Sequence, residues 1–177
     1  MAAFKLNEAI AILRRTPAIL RAALEGLDED WIKANRGEST FSPYDVVGHL
    51  IHGERADWIA RARMIIEQGE SRAFDPFDRF AMYEESRGKS LAELLDTFAS
   101  LRERNLRTLE GMNISGELLQ RRGRHPDFGP VTLEQLLATW AVHDLNHIWQ
   151  VFGTMAWRYR EDVGPWRQYL GILREKQ

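Results

Sequence analysis

The chain has 177 residues, of which 44% are hydrophobic and 28% charged, with a formal charge of −2 and no cysteine. That length encloses one core and predicts a single domain over residues 1–177, while the charge balance offers no basic stripe for nucleic acid. Without cysteine there is no disulfide, no thiolate metal ligand and no cysteine nucleophile. No run approaches the roughly 18 apolar residues of a membrane span, and MAAFKLNEAIAILRR carries charges where a signal peptide needs an apolar centre, so a cytoplasmic protein is expected.

In chain order, Leu6, Ile10, Leu13, Pro17, Leu20, Leu24 and Leu27 recur at spacings of four and three, one helical stripe with a kink expected at Pro17 and Thr16 as a candidate cap. Residues 28–41 are polar and read as a connection. Ser42-Pro43 is a cap followed by the proline tolerated at the first helical position, opening a second helix to about Gly69. Residues 70–89 lack a sustained period and exceed an ordinary helix-to-helix turn, which predicts a long crossover and roughly parallel second and third helices. Capping boxes at Ser90-Leu91-Ala92-Glu93 and Thr132-Leu133-Glu134-Gln135 open a third helix to about Met112 and a fourth to about Glu161. Residues 113–131 read as irregular, strand signals as absent, and a short terminal helix follows Gly164-Pro165. The fold class is all-α, a four-helix bundle.

Histidines carry the chemistry. His143 and His147 are four apart, one turn, and share a stripe with Leu136, Trp140 and Val151, so both point toward the core. Two imidazoles so placed can reach one divalent cation. A third ligand is open at this point: His49 shares a stripe with Val46, Gly53, Ala56 and Ala60, whose small side chains leave room for a pocket, while His52 and Glu54 read more simply as solvated polar groups. Trp58 and Trp140 are expected to wall the pocket, His125 lies in a turn-rich loop near its mouth, and Arg61 and Arg63 are candidates to meet an anionic substrate. Asp144 and Gln150 are candidate partners that orient the imidazoles.

Thr16-Pro17, Phe41-Ser42-Pro43, His49-Leu50, His125-Pro126, Gly129, Val131-Thr132-Leu133, Trp140, His143-Asp144, His147 and Gln150 together resemble the DinB-like superfamily of bacterial four-helix bundles, which includes YfiT-like metal-dependent proteins. The resemblance covers nearly the whole chain. It implies the long crossover, a homodimer and a three-histidine site, with His49, His143 and His147 as ligands and His52 and His125 outside it. It also implies a divalent cation, nickel or zinc before manganese or iron. Characterised branches of the superfamily are transferases and isomerases that use bacillithiol, mycothiol or glutathione, so the expectation is a thiol-dependent transferase or a hydrolase. The alternative is a non-catalytic homodimeric stress or small-molecule-binding bundle. A dimer face is expected on the fourth helix, where Leu137, Leu145, Ile148, Phe152 and Met155 lie away from the histidines.

Overall fold

A computed structural model of the chain describes residues 3–174. Four rods form the bundle. The first is α1 (Leu6–Leu13) with α2 (Thr16–Leu24), followed by the short α3 (Glu29–Ile32) inside the connection. The second is α4 (Pro43–Ala56) with α5 (Trp58–Gln68), and the crossover after it contains α6 (Ala81–Ser86). The third is α7 (Leu91–Gly111), followed by the one-turn α8 (Gly116–Leu119) and an antiparallel hairpin of β1 (Arg122–His125) and β2 (Gly129–Thr132). The fourth is α9 (Leu133–Trp157), and the terminal helix is a 3-10 turn, Gly164–Tyr169, with a further turn at Gly171–Leu173. Among the described residues no helix is long and apolar enough to cross a membrane.

The expected caps form. Ser42, Ser90 and Thr132 each accept from the amide three residues on, and Asp45, Glu93 and Gln135 return the bond to the cap amide. The first rod breaks earlier than expected, at Arg14–Arg15, so Thr16 is already helical and its buried hydroxyl caps nothing. Pro17 accounts for this: without an N–H it cannot bond the Leu13 carbonyl, and its ring crowds that oxygen. The second rod is broken at Asp57, with φ −114° and ψ −79°. Asn105 Nδ2 donates to the Glu54 carbonyl at 2.7 Å, the acceptor that a straight helix pairs with residue 58, and such insertion into the ladder kinks a helix.

The expectation that strands are absent is corrected by the hairpin. Its four-residue strands are too short to show alternation, and what fixes them is close approach: a Cβ on Gly123 would lie 2.6 Å from Ile65 Cγ1 and 3.0 Å from the Phe74 ring. Gly129, at φ +72°, closes the turn. The crossover is bound to this hairpin through the Phe74 amide, 2.9 Å from the Arg124 carbonyl.

The core falls into two apolar clusters stacked along the bundle. One gathers Leu13, Trp58, Ala62, Ile65, Leu106, Leu109, Leu137 and Trp140, and the other Leu20, Leu24, Val47, Leu50, Leu94, Leu95, Phe98 and Val151. The second and third rods both run from the latter cluster to the former, whereas the first and fourth run oppositely. The parallel pairing is thus the one that a long crossover allows.

Between the clusters lies a buried polar layer centred on Arg102, whose side chain is 2% exposed. Nε and Nη2 donate to Glu54 Oε1 at 3.0 and 2.8 Å, Nη1 and Nη2 to Asp144 at 2.5 and 3.1 Å, and Nη1 also to the Leu13 carbonyl at 2.8 Å. Asn105 Nδ2 and Trp140 Nε1 donate to the same Glu54 carboxylate at 2.9 and 3.2 Å. Removing one partner of a buried ion pair strands the other charge. Arg102→Met should therefore lower unfolding free energy by about 3–5 kcal/mol, and Asn105→Ala by about 1–3 kcal/mol; denaturant midpoints at equal slope check both.

Candidate metal centre

His49 leaves α4 about two turns after its cap at Ser42, and His143 and His147 stand one turn apart on α9. Their Nε2 atoms converge, with His143 Nε2 3.1 Å from both His49 Nε2 and His147 Nε2. The ligand atoms of all three lie within 4.8 Å of one another. Nitrogens about 2.0–2.1 Å from a common tetrahedral centre stand about 3.3–3.4 Å apart, close to the spacing found.

Proton accounting favours a cation over hydrogen bonds within the cluster. His147 Nδ1 donates to Gln150 Oε1 at 2.8 Å, which leaves His147 Nε2 as a bare acceptor. His143 Nε2 offers either one proton or one lone pair, and it faces two nitrogens. A cation satisfies all three lone pairs at once. Burial first, then the neighbouring imidazoles, holds His49 down to about 4 and His143 to about 2, and burial lowers His147 as well, so all three are in the neutral form that binds metal. Gln150 fixes one tautomer, while the buried Nδ1 atoms of His49 and His143 have no partner among the described residues. Those two rings are set by packing: His49 lies 5.6 Å from the Phe41 ring and 5.7 Å from Phe77, and the edge of Trp58 meets His143 at 5.1 Å.

The remaining candidates separate. His52 is buried rather than solvated: its Nδ1 lies 2.8 Å from Glu85 Oε1, a carboxylate that also takes Arg55 Nη1, so His52 fastens α6 to α4. Glu54 is likewise no surface charge, being 3% exposed within the Arg102 layer, where burial raises its carboxyl. Asp144 is fully buried and bonds Arg102 rather than an imidazole. Ala56 and Ala60 are exposed and do not line the pocket.

A cavity of about 460 Å³ opens against His49 and His143, lined also by Gly53, Asp57, Trp58 and Arg61. Trp140 does not line it but stacks behind Trp58, 5.7 Å away and nearly parallel. His125 does line it, and its Nδ1 also accepts from the Asp127 and Phe128 amides at the hairpin turn. Arg63 is exposed away from it. Phe77 and Arg79 complete the wall from the crossover, a segment without a period to reveal them. Arg102 and Asn105 did leave a trace, since Leu94, Phe98, Arg102, Asn105 and Leu109 follow at spacings of four, four, three and four, placing two polar groups on an apolar stripe.

Residues 12–151 match the family model of the DinB superfamily. YfiT from Bacillus subtilis, described as a probable metal-dependent hydrolase with an unusual four-helix bundle topology, superposes with a TM-score of 0.76 at 21% identity, over 89% of this chain and 90% of that one. TT2238, a four-helix bundle protein, gives a TM-score of 0.48 at 20% identity over 81% of this chain and 95% of its own. No curated protein sequence matches the chain.

The neutral histidines set a pH dependence. Below about 6.5 the unfolded chain protonates them while the folded protein does not, so the unfolded state binds more protons and stability is lost as pH falls toward the lowered folded values. Glu54 and Asp57, raised by burial, act in the opposite sense, so the histidine part is read by comparison. The melting temperature of metal-free protein should fall from about pH 7 to about pH 5, and fall less in His143→Asn. Parallel profiles for the two proteins would contradict it.

Proposed function

The chain belongs to the DinB superfamily, and on that premise we propose that it is a metal-dependent enzyme holding one divalent cation on His49, His143 and His147. The observation that carries this reading is the convergence of three neutral Nε2 atoms beside an open cavity. Three protein ligands leave a coordination position free, as catalytic sites do and closed structural sites do not. A cation held there supplies Lewis acidity, lowering the pKa of a water or thiol nucleophile toward neutrality. The chain's own part is positional. Gln150 keeps His147 Nε2 free for the cation, and Phe41, Phe77 and Trp58 hold the other two rings.

Both nucleophiles fit the pocket. Hydrolysis accords with the description of YfiT. A transferase would draw its sulfur from a low-molecular-weight thiol, because the chain has no cysteine. Imidazole nitrogens suit nickel and zinc, and also manganese and iron.

A homodimer belongs to the same reading. Val142, Leu145, Trp149 and Phe152 on α9 are 63%, 47%, 40% and 38% exposed, an apolar strip on a helix whose other side is core. Leu137 is buried within the protomer and is not part of it, and Ile148 and Met155 pack partly against the core.

Protein purified without chelators or an affinity tag should carry about one equivalent of metal, lost in His49→Ala and in His143→Ala while circular dichroism stays helical. Protein that takes up no nickel or zinc would point instead to a non-catalytic bundle. In light scattering the wild type should have the mass of two chains and Leu145→Glu/Phe152→Glu that of one; a monomeric wild type at micromolar concentration would remove the dimer.

A further inference from the structure

The cavity beside the histidines has a cationic wall that metal binding does not use. Arg61 projects into it from α5, its Nε 2.6 Å from Asp57 Oδ1 and its guanidinium over the Phe74 ring at 5.2 Å. These contacts pin the group, with the side chain only 12% exposed, yet among the described residues neither terminal nitrogen has an acceptor. Arg79 reaches the same cavity from the crossover. It lies over the Phe41 and Phe80 rings at 5.8 and 5.3 Å and pairs with no carboxylate among the described residues.

The carboxylates of the lining offset Arg61 but not Arg79. Asp57 is bound to Arg61, and Asp127 is 79% exposed at the hairpin tip, 4.0 Å from His125 Nδ1. A bound divalent cation would make the cavity more positive still. Between the two arginines and the histidines the wall is apolar, formed by Trp58, Pro76 and Phe77.

We infer that this cavity binds a small organic acid, with its carboxylate on Arg61 and Arg79, its carbon skeleton against Phe77 and Trp58, and its reactive group toward His49 and His143. Only the last contact rests on the metal-dependent reading. A guanidinium presents paired N–H donors whose fork fits a carboxylate, and Arg61 is already oriented by Asp57, so little side-chain freedom is lost on binding. The volume, about 460 Å³, is that of a site for a small molecule. A neutral ligand would cover the Arg79 guanidinium without counter-charge, a cost that selects against it. Arg63, the sequence's companion to Arg61, has no place in this wall.

The test is isothermal titration calorimetry of 3-mercaptopropionate and its neutral amide, 3-mercaptopropanamide, into the full chain, both metal-loaded and metal-stripped. Wild type should bind the acid about tenfold or more tightly than the amide. Arg79→Gln, at an exposed position that leaves folding intact, should bring that ratio toward one, and Arg61→Gln should reduce it. His143→Ala should weaken acid and amide alike, keeping their ratio. Equal binding of acid and amide, no binding of the acid, or a ratio unchanged in Arg79→Gln overturns the inference even if metal is held. If no metal is held but the ratio and its dependence on Arg79 persist in stripped protein, the carboxylate site stands and the metal-dependent reading fails.

Discussion

Arg102 is the group around which the bundle is organised. A guanidinium has five N–H donors, and all five are used inside the protein, on Glu54 of α4, Asp144 of α9 and the Leu13 carbonyl of α1. One side chain on α7 is thereby tied to the other three rods. The Leu13 carbonyl is available because residue 17 is proline, so a local break in the first helix becomes a tertiary contact. A buried charge is tolerated only when paired and fully hydrogen-bonded. Few arrangements of four helices meet that demand, and for that reason the layer fixes their register more narrowly than the two apolar clusters could.

The same layer underlies the histidine cluster. Asp144 follows His143 directly, so anchoring its carboxylate to Arg102 fixes the rotation of α9 at the level of the histidine cluster. Glu54 accepts from Trp140, Trp140 stacks on Trp58, and the edge of Trp58 meets His143. This contact path runs from the charged layer to the ring whose Nε2 faces both other histidines. The kink at Asp57 turns α5 so that Trp58 can take this place and Arg61 can line the cavity. Asp144, read from the sequence as a candidate partner of the imidazoles, and Glu54, read as a solvated group, thus both act one step behind the site.

The segments without helical period supply what the helices cannot. The crossover places Phe77 and Arg79 over the cavity, and the hairpin adds His125. The bonds that hold these pieces include His52 to Glu85 on α6, Tyr44 Oη to the Ser86 carbonyl, and the Phe74 amide to the Arg124 carbonyl. The three histidines therefore sit on rigid helices while the cavity's outer wall comes from connections, the division of labour common where a scaffold positions chemistry that loops make selective.

Much of this was legible in the chain. Capping residues, prolines and apolar spacing act within a turn or two, so Ser42, Ser90 and Thr132 placed three helix starts, the length of residues 70–89 implied parallel middle helices, and four-residue spacing put His143 and His147 on one inward face. The resemblance of the motifs supplied His49 as their companion. Only tertiary structure could decide whether a polar residue is buried, because that depends on a partner far along the chain: Glu54 and Arg102 are 48 residues apart, and His52 and Glu85 are 33. The hairpin likewise depends on the fit of Gly123 against Ile65 and Phe74, not on its own pattern. Local periodicity determined which faces turn inward, and long-range charge pairing decided which of the inward polar groups hold the bundle together and which are left to meet a ligand.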